Sequence, residues 1–218
     1  MDHFDAEEAE TLEKIAKLYN YEKGLMIYAE ELADESFIPA INEIKDAFDH
    51  LMRVFSVKFG LRERDSNYVN DNLDATFRHL YRATFDLLDF IRFLQKERIY
   101  ESVKDFSRET LVKVFPEYYN TIVPEIESAM QKIPRYKSEK DIGNPNLESV
   151  KGYVEIIEGT KTHFAKINER MPSLVDYENR MKREEQQKEM KQYAIYGIIA
   201  IVAAAIGAII SYLIMTPS

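Results

Sequence analysis

Val69–Leu94 reads VNDNLDATFRHLYRATFDLLDFIRFL, and its apolar residues keep one spacing throughout. Val69, Leu73, Thr76, Leu80, Ala83, Leu87, Ile91 and Leu94 advance by three or four residues at each step, the period of one helix face. No proline or glycine interrupts the run, so the spacing predicts a helix of about seven turns that continues toward Tyr100 or beyond. A helix with one apolar face has to bury it against other helices. This stretch therefore sets the expectation for the whole chain, an all-α helical bundle.

The flanking sequence repeats the pattern. Upstream, Asp5 with Glu8 three residues later forms a capping box for a helix from Ala6 to Ala33, with a seam of Leu12, Ile15, Tyr19, Met26, Ala29 and Ala33. Gly24 weakens that helix without ending it. Ser36 is a cap for a second helix with Pro39 in its first turn, a stripe of Phe37, Ile41, Ile44, Phe48, Leu51 and Phe55, and Gly60 at its end. Arg62 to Asn67 is a polar turn. Downstream, Ser107 caps a short piece to Phe115, and Pro116 restarts a helix to Ile133 that Pro124 should kink. Pro134 to Pro145 reads as a loop, Asn146 as the next cap, and Pro172 as a boundary or kink. The expected architecture is an up-and-down bundle of about five long helices over residues 1–171.

Beyond it the composition changes twice. Residues 172–192 include YENRMKREEQQKEMKQ, charged nearly all round, which predicts a solvated helical stalk. Residues 193–215 read YAIYGIIAIVAAAIGAIISYLIM without a charge. At a rise of about 1.5 Å per residue this run is roughly 34 Å long as a helix, enough to cross a hydrocarbon core of about 30 Å. Tyr193, Tyr196 and Tyr212 sit near its two ends, at headgroup level. Arg180, Lys182, Arg183, Lys188 and Lys191 precede the span, and residues 216–218 carry no basic group. The positive-inside bias then predicts a single-pass, tail-anchored protein of a cell or organelle membrane, with its bundle in the cytoplasm and a short translocated tail. The acidic start MDHFDAEEAE lacks the features of a secretory signal, and the absence of cysteine fits a reducing compartment. Within the span, Ala200, Ala204 and Ala208 form one ridge and Ala203, Gly207 and Ser211 its neighbour. Small residues in this pattern let helices approach closely in lipid, so a homo-oligomer is expected.

Charge narrows the function classes. A net charge of −9 argues against nucleic acid as a general partner, because phosphate neutralisation needs clustered Lys and Arg. Among the motifs, Phe48–Arg53 and Phe77–Arg82 share F-x-H-L-x-R. His50, Arg53, His79 and Arg82 thus form a possible polar cluster if the second and third helices pair antiparallel. Ala47, Ala75 and Ala83 beside the histidines would allow close packing there. A metal is not expected: the Glu-x-x-His pair of di-iron bundles is missing, with Ala47 and Thr76 at the acidic positions. No phosphate-cradling glycine loop and no cysteine nucleophile is present, and no cofactor is expected.

Lys45-Asp-Ala-Phe-Asp-His50 resembles the Arg-x4-6-His motif of HEPN domains, helical bundles that often act as ribonucleases. The resemblance covers six residues and departs at Lys45, which keeps the charge but lacks the planar fork that grips phosphate twice. It implies, as the alternative function, a membrane-tethered ribonuclease with His50 as acid or base beside Lys45. The leading expectation is non-enzymatic: a membrane-tethered interaction or sensor module for a protein partner. Its sharper form is a defence-type effector that assembles through its transmembrane helix and perturbs the bilayer.

Overall fold

The computed structural model describes residues 3–63, 65–138 and 147–215, with the side chains of residues 66 and 212–215 left aside. Its helices are α1 (Ala6–Ala33), α2 (Ile38–Lys58), α3 (Ser66–Val103), α4 (Arg108–Val114), a π-helical turn (Tyr118–Ile122), α5 (Val123–Met130), α6 (Ile133–Ser138) and α7 (Leu147–Met215). No strand occurs among the described residues, and the fold is all-α. The chain forms two compact units. One comprises residues 1–105 and 117–169, the other residues 106–116 and 170–218.

In the first unit the direction of each helix follows from its contacts. His50 pairs with Asn72, the carbonyl of Ala47 faces Thr76 and Glu43 meets His79, so α2 and α3 run antiparallel. Tyr28 meets Gln95 and the Leu32 carbonyl meets Arg98, which makes α1 parallel to α3. Glu125 with His163, and Tyr136 against Gly152, set α5 and α6 antiparallel to α7. The result is an up-and-down bundle whose fourth member is broken into short pieces. Among the described residues helix α3 supplies the largest share of the core, with Leu73, Phe85, Leu87, Leu88 and Ile91 almost fully buried.

Several local expectations are met for the reasons given. Asp5 and Glu8 form the reciprocal capping box of α1. Gly60 takes the left-handed φ of +71° just past the end of α2, where a side chain would be strained. Ser107 accepts from the Thr110 N–H and caps α4. Pro124 disturbs its helix by widening the preceding turn: the Val123 N–H bonds to the Tyr118 carbonyl. Such a wide turn relieves the collision between a proline ring and the carbonyl four residues earlier.

Others are corrected. Ser36 does not cap α2. Phe37 occupies that position without a side-chain bond, and the Ser36 hydroxyl donates to Glu30 instead. Residues 134–138 are helical, since Pro134 sits in the first turn of α6, where its missing N–H has no intrahelical role. The rest of the expected loop and the Asn146 cap lie outside the described residues. Pro172 does not end α7, which runs through it. Only one backbone bond, to the Asn168 carbonyl, is lost in a helix held cooperatively on both sides.

The largest correction concerns which faces are buried. The seam of α1 keeps Ile15 and Ala29 of the expected line, with Leu12 and Met26 partly buried against it, but is completed by Leu18, Glu22 and Leu25, while Tyr19 is 47% exposed. Helix α2 buries Ala40, Ala47, Val54 and Val57, while Phe48 stands 59% exposed. Small alanines bring α2 close to α3 and turn its bulky stripe aside.

In the second unit Leu111, Phe115 and Leu174 are buried. Glu178 joins α4 to α7 by accepting from the Ser107 N–H at 3.3 Å, the Ser107 hydroxyl at 3.1 Å and the Thr110 hydroxyl.

Candidate functional site

Three places carry the residues singled out by the sequence. The first is the seam of α2 and α3. The rings of His50 and His79 stack with centroids 5.3 Å apart and planes 25° apart. His50 Nδ1 lies 2.8 Å from Asn72 Oδ1. The Asn72 amide nitrogen itself donates to the Tyr68 carbonyl, so that oxygen is an acceptor and His50 Nδ1 carries the proton. His79 Nδ1 is 2.8 Å from Glu43 Oε2, which also accepts from Arg82 Nε at 3.0 Å. The hydrogen bonds and charges of His79 and Arg82 hold the Glu43 carboxyl below its usual range, against the opposing effect of burial, which is the largest single influence on it. Arg53 stays out of this group and pairs with Asp49 on the surface. The geometry gathers His50, His79 and Arg82 with Glu43 and Asn72, two residues the sequence pattern did not mark. Both supply oxygens from one helix to the ring of the other.

Lys45 and His50 face different surroundings. His50 is engaged with α3, whereas Lys45 lines the second place, a cleft between α1 and α2. Along their middles these two helices pack on α3 rather than on each other. The space left is a cavity of about 620 Å³ with Leu12, Ile15, Ala16 and Tyr19 on one wall. Ile41, Ile44, Lys45, Ala47, Phe48 and Leu51 form the other wall, and Thr76 and Leu80 the floor. Much of the apolar stripe that periodicity assigned to the core on α1 and α2 thus lines an open cleft, whereas that of α3 is mostly buried. Period alone cannot separate these outcomes, because an apolar cleft and an apolar core impose the same spacing.

A smaller cavity of about 200 Å³ lies between α5, α6 and α7, lined in part by Glu125, Lys132, Tyr136 and His163. His163 Nε2 sits 3.1 Å from Glu125 Oε2, its Nδ1 is buried without a partner, and burial lowers its pKa. A second buried group is Glu22 in α1. Among the described residues neither of its carboxylate oxygens has a partner, and burial pushes it up to about 8. Sequence reasoning passed over both, and the signal for Glu22 was a charge on the line Leu18, Glu22, Leu25.

The third place is the end of α7. It is the single helix among the described residues long and apolar enough to cross a membrane, and none of its most apolar stretch is buried. Ile195, Ile198, Ile199, Ile201, Val202, Ile206, Ile209 and Ile210 are all more than half exposed. Ala200, Ala203, Ala204, Gly207, Ala208 and Ser211 are exposed as well, and a methyl group built on Gly207 meets nothing within 4 Å. Such a surface matches a lipid environment. Comparison with protein-family models, with curated proteins and with solved structures finds no match.

Proposed function

We propose that this chain is a membrane-anchored binding module. The bundle takes an apolar ligand or partner segment in the cleft between α1 and α2. Residues 193–215 hold it to the bilayer in a single pass, with the bundle on the cytoplasmic side beside the basic residues Arg180 to Lys191. The observation that carries this reading is the exposed stripe Ile41, Phe48 and Met52 on a helix whose buried face is made of alanine and valine. Contiguous apolar surface on a folded domain marks a place of interaction.

Copies of the chain then associate through the ridges of Ala200, Ala204 and Ala208 and of Ala203, Gly207 and Ser211. Small side chains allow the close backbone approach on which helix pairing in lipid depends. The test is expression of the full chain, of a chain lacking residues 193–215, and of Gly207→Leu, each followed by membrane fractionation and cross-linking. The intact chain should stay with membranes after alkaline extraction and cross-link as an oligomer. Gly207→Leu should stay in membranes with a reduced oligomer yield. An extractable full chain overturns the anchor, and undiminished oligomers in Gly207→Leu overturn the association face. A membrane-perturbing form of the same function predicts loss of membrane potential on strong induction, and an unchanged potential rules that form out.

A further inference from the structure

Resting on the reading of the cleft as a binding site, we propose that its occupant is a free fatty acid, with the carboxylate at Lys45 and the acyl chain lying along the cleft. The first argument is the shape. At one end α1 and α2 are clamped together by the edge-to-face rings of Phe4 and Phe55, 6.1 Å apart, and by the buried pair of Glu8 with Lys58 at 2.5 Å. At the other end only residues 34–37 separate the helices, and Phe37 stacks on Phe90 of α3 at 4.3 Å. Between these closures the apolar walls extend over about ten residues of α2, or roughly 15 Å. A partner helix, about 10–12 Å across with its side chains, would have to run through both closures or rest outside them. A single flexible chain fits between them. The volume of about 620 Å³ lies in the range of cavities that enclose small ligands.

The second argument is the distribution of polarity. Helices α1 and α2 are antiparallel, since α1 runs with α3 and α2 against it. With Glu8 beside Lys58 and only residues 34–37 between the helices, Tyr19 comes level with the forties of α2. Tyr19 and Lys45 therefore lie at a similar level of the cleft, with Ile41 beyond Lys45 on one side and Leu12, Phe48 and Leu51 toward the other. Lys45 is the one charged residue of the lining, and it makes no ion pair or hydrogen bond with any described residue. The Thr76 hydroxyl in the floor is already used by the Asn72 carbonyl at 2.8 Å. One cation and one phenol at a similar level, with hydrocarbon along the rest of the walls, match an amphiphile with a single negative charge. A phosphate head, carrying more charge, would leave part of it unpaired beside one lysine. A chain with a span of its own works where such amphiphiles are dissolved in the bilayer.

The experiment uses the full chain in lipid nanodiscs, with empty nanodiscs subtracted. Dansylundecanoate is the reporter, and laurate, dodecanol and a lysophosphatidate of the same chain length are competitors. Saturable reporter binding displaced by laurate is expected. Lys45→Glu should weaken laurate by about tenfold, the scale of one charge-assisted hydrogen bond, while leaving dodecanol within twofold. Phe48→Glu, at an exposed position that tolerates a charge, should abolish both. Saturable binding absent from the intact chain, or unchanged in Phe48→Glu, overturns the proposal, as does a preference for lysophosphatidate over laurate. Photo-cross-linking in cells from Phe48→p-benzoylphenylalanine separates the two levels of inference. An adduct of fatty-acid mass supports the proposal. One of protein mass overturns the fatty acid but leaves the cleft as a binding site, and the absence of any adduct overturns both.

Discussion

Glu22 offers the sharpest test of the packing described above. It lies at 0% exposure on the seam of α1, between Leu18 and Leu25, and neither carboxylate oxygen has a partner among the described residues. Burial alone raises its pKa from 4.5 to about 8. The folded protein therefore keeps a proton on Glu22 over a range in which the unfolded chain has lost it. From about pH 4.5 upward the native state binds more protons than the unfolded state, so stability falls as pH rises, and the fall ends near pH 8. Each unit inside that window removes about 1.4 kcal/mol. Between pH 5 and pH 8 the loss from this one group is on the order of 3–4 kcal/mol, or about 10 °C in melting temperature for a chain of this size.

The assay is thermal unfolding of the full chain in nanodiscs, followed by helix content from pH 5 to pH 8.5, for wild type, Glu22→Gln and Glu22→Leu. Other groups titrate in the same range. His163, whose pKa is lowered by burial, contributes with the opposite sign: the folded protein resists its protonation, so stability falls as pH drops below 6.5. The difference curve between wild type and variant cancels such shared terms. Glu22→Gln should lack the decline toward alkaline pH without gaining much in acid, because it buries another polar group lacking a partner. Glu22→Leu should melt about 10 °C above wild type at pH 8 and by less at pH 5. If wild type and Glu22→Gln trace parallel profiles, Glu22 is not buried as an unpaired acid and the seam assigned to α1 is wrong.

Two further outcomes follow from the same geometry. Glu178→Gln should destabilise the attachment of α4 by about 1–2 kcal/mol, since three donors from Ser107 and Thr110 lose a charged acceptor. Hydrogen bonds from Thr110 and Ser107 hold the pKa of Glu178 below 4.5, so its contribution is present above that pH and fades in acid. Hydrogen exchange at residues 108–114 in wild type and variant reads both effects, and equal protection at neutral pH would rule the latch out. Gly152→Ala should cost about 1–3 kcal/mol, because a Cβ there would lie 2.6 Å from the ring of Tyr136. Tyr136→Leu in the same chain should recover part of that loss on heating, and a harmless Gly152→Ala would show that α6 does not pack where it is placed.

Much of this architecture is legible in the sequence wherever local chemistry decides the outcome. Asp5 with Glu8, Gly60 and Ser107 act through neighbours within a few residues, and the structure uses each as its chemistry dictates. Proline is harder to read from sequence. Pro124 and Pro172 occupy helix interiors, yet one is met by a widened turn and the other by the loss of a single bond inside a long helix. What separates them is tertiary support, which spacing does not encode. The polar seam was half visible. The two histidines announced themselves by the repeated F-x-H-L-x-R, but Glu43 and Asn72 lie on partner helices at distances in sequence that only the pairing register defines. Least legible was the division of apolar residues between core and cleft. Phe48 and Phe77 hold equivalent places in the repeat, yet one is 59% exposed and the other 8%.

That last contrast has a physical basis that links α1 and α2. Helix α2 meets α3 through Ala40 and Ala47, and the short distance this permits leaves its larger residues directed toward α1. Helix α1 in turn reaches α3 through a seam that includes an unpaired acid. Neither choice maximises stability. A bulky residue at position 47 would push α2 away from α3, and Leu at position 22 would remove the penalty of burying a charge. Local rules broken without compensation inside a fold are most often found where the fold has another task. Ala47 borders the cleft, whereas Glu22 lies on the buried seam of the helix that forms its other wall. The alanines of α2 leave its larger side chains Ile41, Ile44, Phe48 and Leu51 to line the cleft. A cavity of about 620 Å³ lies between the two helices. It is on that cleft, rather than on the stacked imidazoles already engaged with Asn72, Glu43 and Arg82, that binding chemistry should be sought.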